Sequence, residues 1–282
     1  MFQLKRILRN SSIVLFYLSG LSTCRKIYLQ YRYKRIYRIL CFHWVGGEGA
    51  QDFEDKIVWL KKKCTIFSLS DLLGGELNVG SGNNVAITFD DGFSDFYSVI
   101  LPVLVKHNVP ATLFIPSKII GLSPGDAENF AKREIGIGRS LLNKQNIIEI
   151  SKSGVVDLQS HSRSHCDFGK GSFDELLYEL NQSREEIESI TGNAVQYLAF
   201  PFGDILNTSQ NAFKALHSSN YAAAMTIVPG FNYSESNQFM LKRDSLDPSM
   251  NMLLFRAWLS GGYDLLKSAS NWGRLYVKRF TA

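Results

Sequence analysis

Two short stretches hold the residues best suited to chemistry. In the first, the β-prone run Val85-Ala86-Ile87-Thr88-Phe89 leads into Asp90, Asp91 and Gly92. The apolar part is expected to be a short buried strand, and the two carboxylates then sit where the strand leaves the sheet. Parallel α/β folds usually place chemistry at that edge. Adjacent side chains on a strand point to opposite faces, so Asp90 and Asp91 are expected to serve different tasks. Asp-Gly is also a common turn pair, so the first stretch alone reads equally well as a plain turn. The second stretch decides between the two. Val155-Val156-Asp157-Leu158-Gln159-Ser160 is another short strand, and it runs into His161-Ser162-Arg163-Ser164-His165. Two His at i and i+4 lie on one side of a helical turn, a spacing that suits one metal ion. With Asp91 they make a His-His-Asp set that leaves metal positions open for water and substrate.

Thr88-Phe89-Asp90-Asp91-Gly92 and His161-Ser162-Arg163-Ser164-His165 resemble the first two motifs of the NodB-type polysaccharide deacetylases, carbohydrate esterase family four. Ala199-Phe200-Pro201-Phe202-Gly203 resembles the third motif, and the likeness runs over about residues 38 to 250. The segment Phe42-His43-Trp44-Val45 resembles the early His segment of a branch with permuted motifs, and no Leu-x-His is found near the C-terminus. The resemblance implies a single distorted, incomplete (β/α) barrel. It also implies one divalent transition metal, with zinc first in mind, on Asp91, His161 and His165. Asp90 would be the general base and His43 the general acid. Pro201, Phe202 and Gly203 would border the substrate, and a backbone N–H after the third motif would help bind the oxyanion. Two departures stand out. Ala199 occupies the place of an Arg that in the family holds the catalytic Asp, and there is no convincing Asp-Trp fourth motif. Arg243, in Leu241-Lys242-Arg243-Asp244, is the candidate replacement; the alternative is a surface cation beside Asp244.

Composition bounds the reading. The chain has 282 residues, 45% of them hydrophobic and 20% charged, enough for one large domain with its own core. Four cysteines without CxxC spacing are expected to be reduced thiols in a cytosolic protein. Residues 1–47 contain nine Lys or Arg and no acid; the whole chain is at +5, which leaves the remainder at −4. A mildly acidic body argues against nucleic-acid binding. The chain therefore divides into a basic, partly apolar arm, residues 1–37, and a catalytic domain, residues 38–282. The apolar run from Ile13 to Leu21 is short of the ~20 residues a spanning helix needs. A basic start before it also fits a signal peptide, but Arg25-Lys26 directly after it favours an uncleaved arm. Tyr28, Tyr31, Tyr33 and Tyr37 among four cations suit either an anionic membrane surface or a helix packed on the body.

The remaining elements are read from patterning. Residues 39–45 are expected to form a strand, 51–63 an amphipathic helix and 65–69 a strand. A loop follows over 74–84, then a helix over 94–107 interrupted at Pro102, and a strand over 111–116. Residues 117–142 lack periodicity and are expected to be a long loop over the site. A helix over 143–153 ends at Gly154, and Ser172 with Glu175 forms a capping box that opens a helix ending at Gly192. A strand at 197–200, a helix over 207–218, a strand at 221–225 and a helix over 250–268 complete the chain. Alternating strands and helices imply a parallel sheet, closed or nearly so.

These features favour a metal-dependent de-N-acetylase acting on an N-acetylated sugar in a polysaccharide or a lipid-linked saccharide, at the cytoplasmic face of a membrane. A non-catalytic, glycan-binding or scaffolding barrel is the rival, and O-deacetylation or deformylation at the same metal site is a third reading.

Overall fold

The computed structural model describes residues 2–33, 35–74 and 82–264. Nine strands form one curled sheet: β1 (Ile36–Phe42), β2 (Thr65–Ile66), β3 (Asn84–Phe89), β4 (Ala111–Ile115), β5 (Val156–Ser160), β6 (Tyr197–Ala199), β7 (Ala223–Met225), β8 (Asn232–Tyr233) and β9 (Asp244–Ser245). The main path runs β7-β6-β5-β4-β3-β1-β8, with β2 paired to β3 and β9 to β1. Every pair is parallel except β1 with β8. This is the mixed α/β, incomplete barrel that the motifs implied. β1, β3 and β4 are buried along their whole length, as expected of parallel strands covered on both faces.

The barrel is drawn nearly shut by one segment. Leu241 bridges to Met225 at the end of β7, and three residues later Asp244 pairs with Leu40 of β1. Thr226 N–H donates to Leu241 O at 2.8 Å and Leu246 N–H to Cys41 O at 2.8 Å, so the segment is held from both sides. Arg243 lies between these attachments and is completely buried.

The helices are α1 (Phe2–Leu18), α2 (Leu21–Arg32), α3 (Ala50–Lys63), α4 (Leu69–Leu73), α5 (Leu101–His107), α6 (Pro124–Phe130), α7 (Lys144–Ser151), α8 (Phe173–Thr191), α9 (Gln210–Ser218) and α10 (Met252–Leu259). The capping box at Ser172 and Glu175 opens α8, and Gly192 closes it at φ 70°. The arm is helical and docked. Ile13 is fully buried, Arg25 pairs with Asp264 at 2.6 Å, and Tyr33 stacks on Tyr233 with ring centres 4.0 Å apart.

Several sequence expectations need correction. Residues 117–142 are mostly helical: a 3-10 turn at Ser117–Gly121, then α6, then a π-turn at Ala131–Ile135. Ser123 caps α6 and buried Phe130 anchors it, two local signals that the lack of long periodicity hid. The strand expected over 65–69 stops at Ile66, because Ser68 caps α4 by accepting from Asp71 N–H. The strand expected from Ile39 starts at Ile36, so it takes in the last two residues assigned to the arm. The helix interrupted at Pro102 is a π-turn, Phe96–Ile100, running into α5. The helix expected to start at 207 begins with a 3-10 turn at Ile205–Asn207 before α9. The helix expected over 250–268 stops at Leu259, with turns over 260–263; its expected end at Ser268 and most of the loop expected over 74–84 lie outside the described residues.

Candidate metal centre and active site

Strand register brings the two motifs together. Phe42 pairs with Phe89, and Asp90 N–H donates to Phe42 O at 3.0 Å, so His43 and Asp90 leave the sheet side by side. Ile115 pairs with Ser160, and His161 N–H donates to Ile115 O at 2.9 Å. Ser160 pairs with Leu198, which sets Ala199 beside His161. All these residues therefore share the C-terminal edge of the parallel strands, where such folds place their sites.

Asp91, His161 and His165 converge there and are nearly buried, at 4%, 2% and 5% exposure. The Nε2 atoms of the two His lie 3.3 and 3.4 Å from the same oxygen, Asp91 Oδ1. Four ligands at the ~2.0–2.1 Å bonds usual for zinc stand roughly 3.3–3.4 Å apart at the corners of a tetrahedron. The two edges from Asp91 Oδ1 therefore have tetrahedral spacing, and one ligand atom of each of the three residues lies within 4.8 Å of the others. Their backs are fixed as well. His161 Nδ1 is 2.8 Å from Ala199 O and His165 Nδ1 is 2.9 Å from Glu134 O, so each ring can donate there and keep Nε2 free as a ligand.

His161 and His165 do not meet on a helical turn, contrary to expectation. Residues 161–168 form no helix, and Ser162 and His165 have φ of 62° and 60°. Glu179 of α8 holds the loop in this shape by accepting from Arg163 N–H, Ser164 N–H and Ser164 Oγ. Five non-glycine residues in the described chain have positive φ: Asp91, Asn108, Ser162, His165 and Phe202. All but Asn108 belong to this site, and such backbone costs roughly 1–3 kcal/mol per residue. Strain gathered at one place marks it as functional rather than structural.

Asp90 occupies the next position inward and is 2% exposed. Arg243 grips it with both ends of its fork, NH1 to Oδ1 at 2.7 Å and NH2 to Oδ2 at 2.6 Å. The guanidinium is oriented by Thr226 O, which accepts from Nε at 3.0 Å, and by Thr88 Oγ1 at 3.3 Å from NH1. Arg243 thus faces Asp90, and Asp244 pairs instead with Arg38. Burial pushes the Asp90 carboxyl up, but the Arg243 guanidinium and His161 more than reverse this, leaving it below its ordinary value. Burial acts the same way on Asp91, and the bonded imidazoles of His161 and His165 hold it well below the carboxylate range. Burial lowers the His161 pKa, and the Asp90 and Asp91 carboxylates push it back above its ordinary value.

His43 is half-buried, and one of its ring nitrogens lies within 4.8 Å of an Asp90 carboxylate oxygen and of Cys41 Sγ. Trp44 packs edge-on against it, and Arg139 lies over the Trp44 ring at 4.7 Å. In the third motif, Phe202 is 48% exposed and its ring meets His165 edge-on with centres 4.9 Å apart, while Pro201 and Gly203 are buried. Phe202 is therefore the one member of that trio placed to touch a ligand. A Cβ at Gly203, φ 55°, would meet Ile227 N at 2.9 Å, so the loop needs glycine there.

Sequence reasoning missed three supporting residues. Cys41 Sγ donates to Asp90 Oδ2 at 3.4 Å from the strand beneath it, and burial raises its thiol pKa so that it stays protonated. Asp95 Oδ2 accepts from Val45 N–H at 2.7 Å and Gly46 N–H at 3.0 Å, fixing the turn that follows His43. Glu179 is the third, and nothing local in the sequence separates it from the other acids of α8.

An Asp-His-His cluster that could hold a metal ion and an Arg-gripped second Asp thus share the C-terminal edge of the barrel. The family model described as Polysaccharide deacetylase matches residues 78–221, more than half of the chain, and the chain belongs to that family. Among curated relatives, YxkH of Bacillus subtilis is 23% identical over 175 residues, covering 62% of this chain and 56% of its own length. The poly-beta-1,6-N-acetyl-D-glucosamine N-deacetylase of Staphylococcus epidermidis is 23% identical over 224 residues, 76% of this chain and 72% of that protein. The chain thus spans little more than half the length of YxkH. Among solved structures, the de-N-acetylase from Aggregatibacter actinomycetemcomitans superposes with a TM-score of 0.66 at 16% identity, covering 79% of this chain and all of that one. At such identity the superposition speaks for the fold.

Proposed function

We propose that this protein is a metal-dependent hydrolase that removes the N-acetyl group from an N-acetylated sugar in a polysaccharide or a lipid-linked saccharide. The observation that carries the reading is the convergence of both imidazoles on Asp91 Oδ1, next to an Asp90 that Arg243 holds ionised. The name of the Staphylococcus epidermidis relative supports the substrate class. Asp91, His161 and His165 would hold one divalent ion, with zinc favoured by two imidazoles and a carboxylate. Such an ion acts as a Lewis acid and lowers the pKa of water from roughly 15.7 to about 7.

The chain's own residues supply the rest. Asp90, kept anionic by Arg243, accepts the proton of the attacking water. Arg243 also fixes the carboxylate in one orientation, because both of its oxygens are engaged by the fork. His43, at the open side of Asp90, donates a proton to the departing amine. Phe202, exposed beside His165, would pack on one side of the bound sugar and exclude water there. The arm attaches the enzyme to an anionic membrane face: Ile7, Leu8, Leu15, Leu18, Leu21 and Ile27 are each more than half exposed among its cations. No described helix is long and apolar enough to cross a membrane.

Acetate release from β-1,6-linked N-acetylglucosamine oligomers by the full chain with added zinc tests this reading. Release only from O-acetylated or N-formylated sugars would move the activity to those substrates. No release from any of them would leave a glycan-binding barrel.

A further inference from the structure

A second cavity lies at the opposite end of the barrel from the catalytic residues. It holds about 380 Å³, a size usual for small-molecule sites. Ile36, Tyr37 and Arg38 of β1 and Asn84 and Val85 of β3 line it, and these begin the strands whose ends lead to His43 and Asp90. Five residues of strand, roughly 17 Å, separate Arg38 from His43. The far wall is the arm, through Tyr17, Thr23 and Lys26, together with α3 and α10.

Its charge is one-sided. Lys26, Arg38, Lys63 and Arg256 line it, and no carboxylate does among the described residues. Arg38 is spoken for, since its two terminal nitrogens bind Asp244 and Asp264. Arg38 is 2% exposed and lies over the Phe231 ring at 4.1 Å, so it backs the cavity as a paired cation and leaves the free charge to the other three. Lys26, Lys63 and Arg256 have no acidic partner within ion-pair distance among the described residues. Burial also lowers the Lys26 pKa, the mark of a partly desolvated cation without a bonded carboxylate. Arg256 lies flat over Trp59 at 5.3 Å, which leaves the edge of its guanidinium available. The rest of the wall mixes Tyr17, Trp59, Phe231 and Leu259 with the polar side chains of Thr23, Asn83, Asn84 and Ser260. The arm helices that close the cavity also expose Leu18, Leu21 and Tyr28.

We propose that this cavity binds a phosphate-bearing amphiphile, its anionic head on Lys26, Lys63 and Arg256 and its apolar part against Tyr17, Trp59 and Leu259. Several cations around one small cavity match a multiply charged phosphate better than a single-charged carboxylate. The proposal stands apart from the catalytic reading, because the two sites share no residue.

The test is calorimetric titration of the full chain with decyl phosphate below its micelle concentration, with decanoate and inorganic phosphate as comparisons. Decyl phosphate should fill one site and bind more tightly than either comparison. The double variant Lys26→Gln/Arg256→Gln should weaken it by about tenfold or more, the worth of a lost charge-assisted contact. Both side chains reach solvent, so that variant should keep its melting temperature and its acetate release from soluble oligosaccharides. Displacement of decyl phosphate by phosphatidylcholine vesicles containing phosphatidic acid supports a lipid headgroup as the natural ligand. Displacement by N-acetylglucosamine 1-phosphate supports a soluble phosphate. Displacement by neither, equal binding of decanoate, or unchanged binding by the double variant would overturn the proposal.

Discussion

Replacing Arg243 with Met removes the cation that holds Asp90 and leaves a carboxylate buried at 2% exposure. Both carboxylate oxygens lose their charged donors, and Thr226 O loses the donor that reached it from Nε. Breaking a buried ion pair from one side costs about 3–5 kcal/mol. At roughly 2–4 °C per kcal/mol for a domain of this class, the melting temperature should fall by about 10 °C. The deficit should depend on pH in a definite direction. In the intact protein the Asp90 pKa is depressed below its unfolded value of about 3.9. Its stabilisation is therefore complete above that value and is lost as the pH falls through the folded pKa. In the variant, burial acts without the Arg243 cation and the pKa rises, so acid restores stability by neutralising Asp90. The gap between the two proteins should narrow on acidification. Turnover should fall about 10²–10⁴-fold, with the acid limb of the rate profile moved to higher pH. Calorimetric melts across a pH series, paired with acetate release, measure both effects. The companion Arg243→Met/Asp90→Asn should recover part of the lost stability and none of the activity. A melting temperature within a degree or two of the parent, or a gap that widens in acid, would refute the role assigned to the pair.

His43→Ala should lower turnover about 10²–10⁴-fold while the protein keeps one metal per chain, as judged by elemental analysis; loss of the metal would make His43 a ligand instead. Full-length protein should co-sediment with vesicles of anionic lipid at low salt and leave them as salt rises, since each surface cation contributes about 1 kcal/mol that ions screen. Protein lacking residues 1–32 should stay in the supernatant, and equal pelleting at high salt would mean insertion.

Local features of the sequence translated directly into structure. Asp90 and Asp91 serve different tasks as expected, one toward Arg243 and the other toward the imidazoles, but both lie just past β3 and Asp91 turns away on left-handed backbone at φ 74°. Ser172 and Glu175 cap α8 because the reciprocal bonds need only four consecutive residues. The link between Arg243 and Asp90 was open in the sequence, because it depends on how the segment after Leu241 closes the sheet, 153 residues away from its partner. The left-handed backbone at Ser162 and His165 was invisible, because neither is a glycine and the shape is imposed by Glu179. Residues 117–142 looked like a loose cover because their helices are short; what they bring to the His165 ligand is a backbone atom, Glu134 O, which no side-chain pattern could reveal. Cys41 read as one of four ordinary reduced thiols, and only the β1–β3 register sets it under Asp90.

The central claim is that Asp91, His161 and His165 hold the one ion on which acetate release depends. Chelator-stripped full chain, titrated with zinc while acetate release from an N-acetylglucosamine oligomer is followed, tests it most directly. Activity should start near zero, rise in proportion to zinc, and reach its plateau at about one equivalent, as for a single closed set of ligands. The variant His165→Gln should show no break at that ratio. Full activity in the stripped protein, or an unchanged break in the variant, would contradict the account.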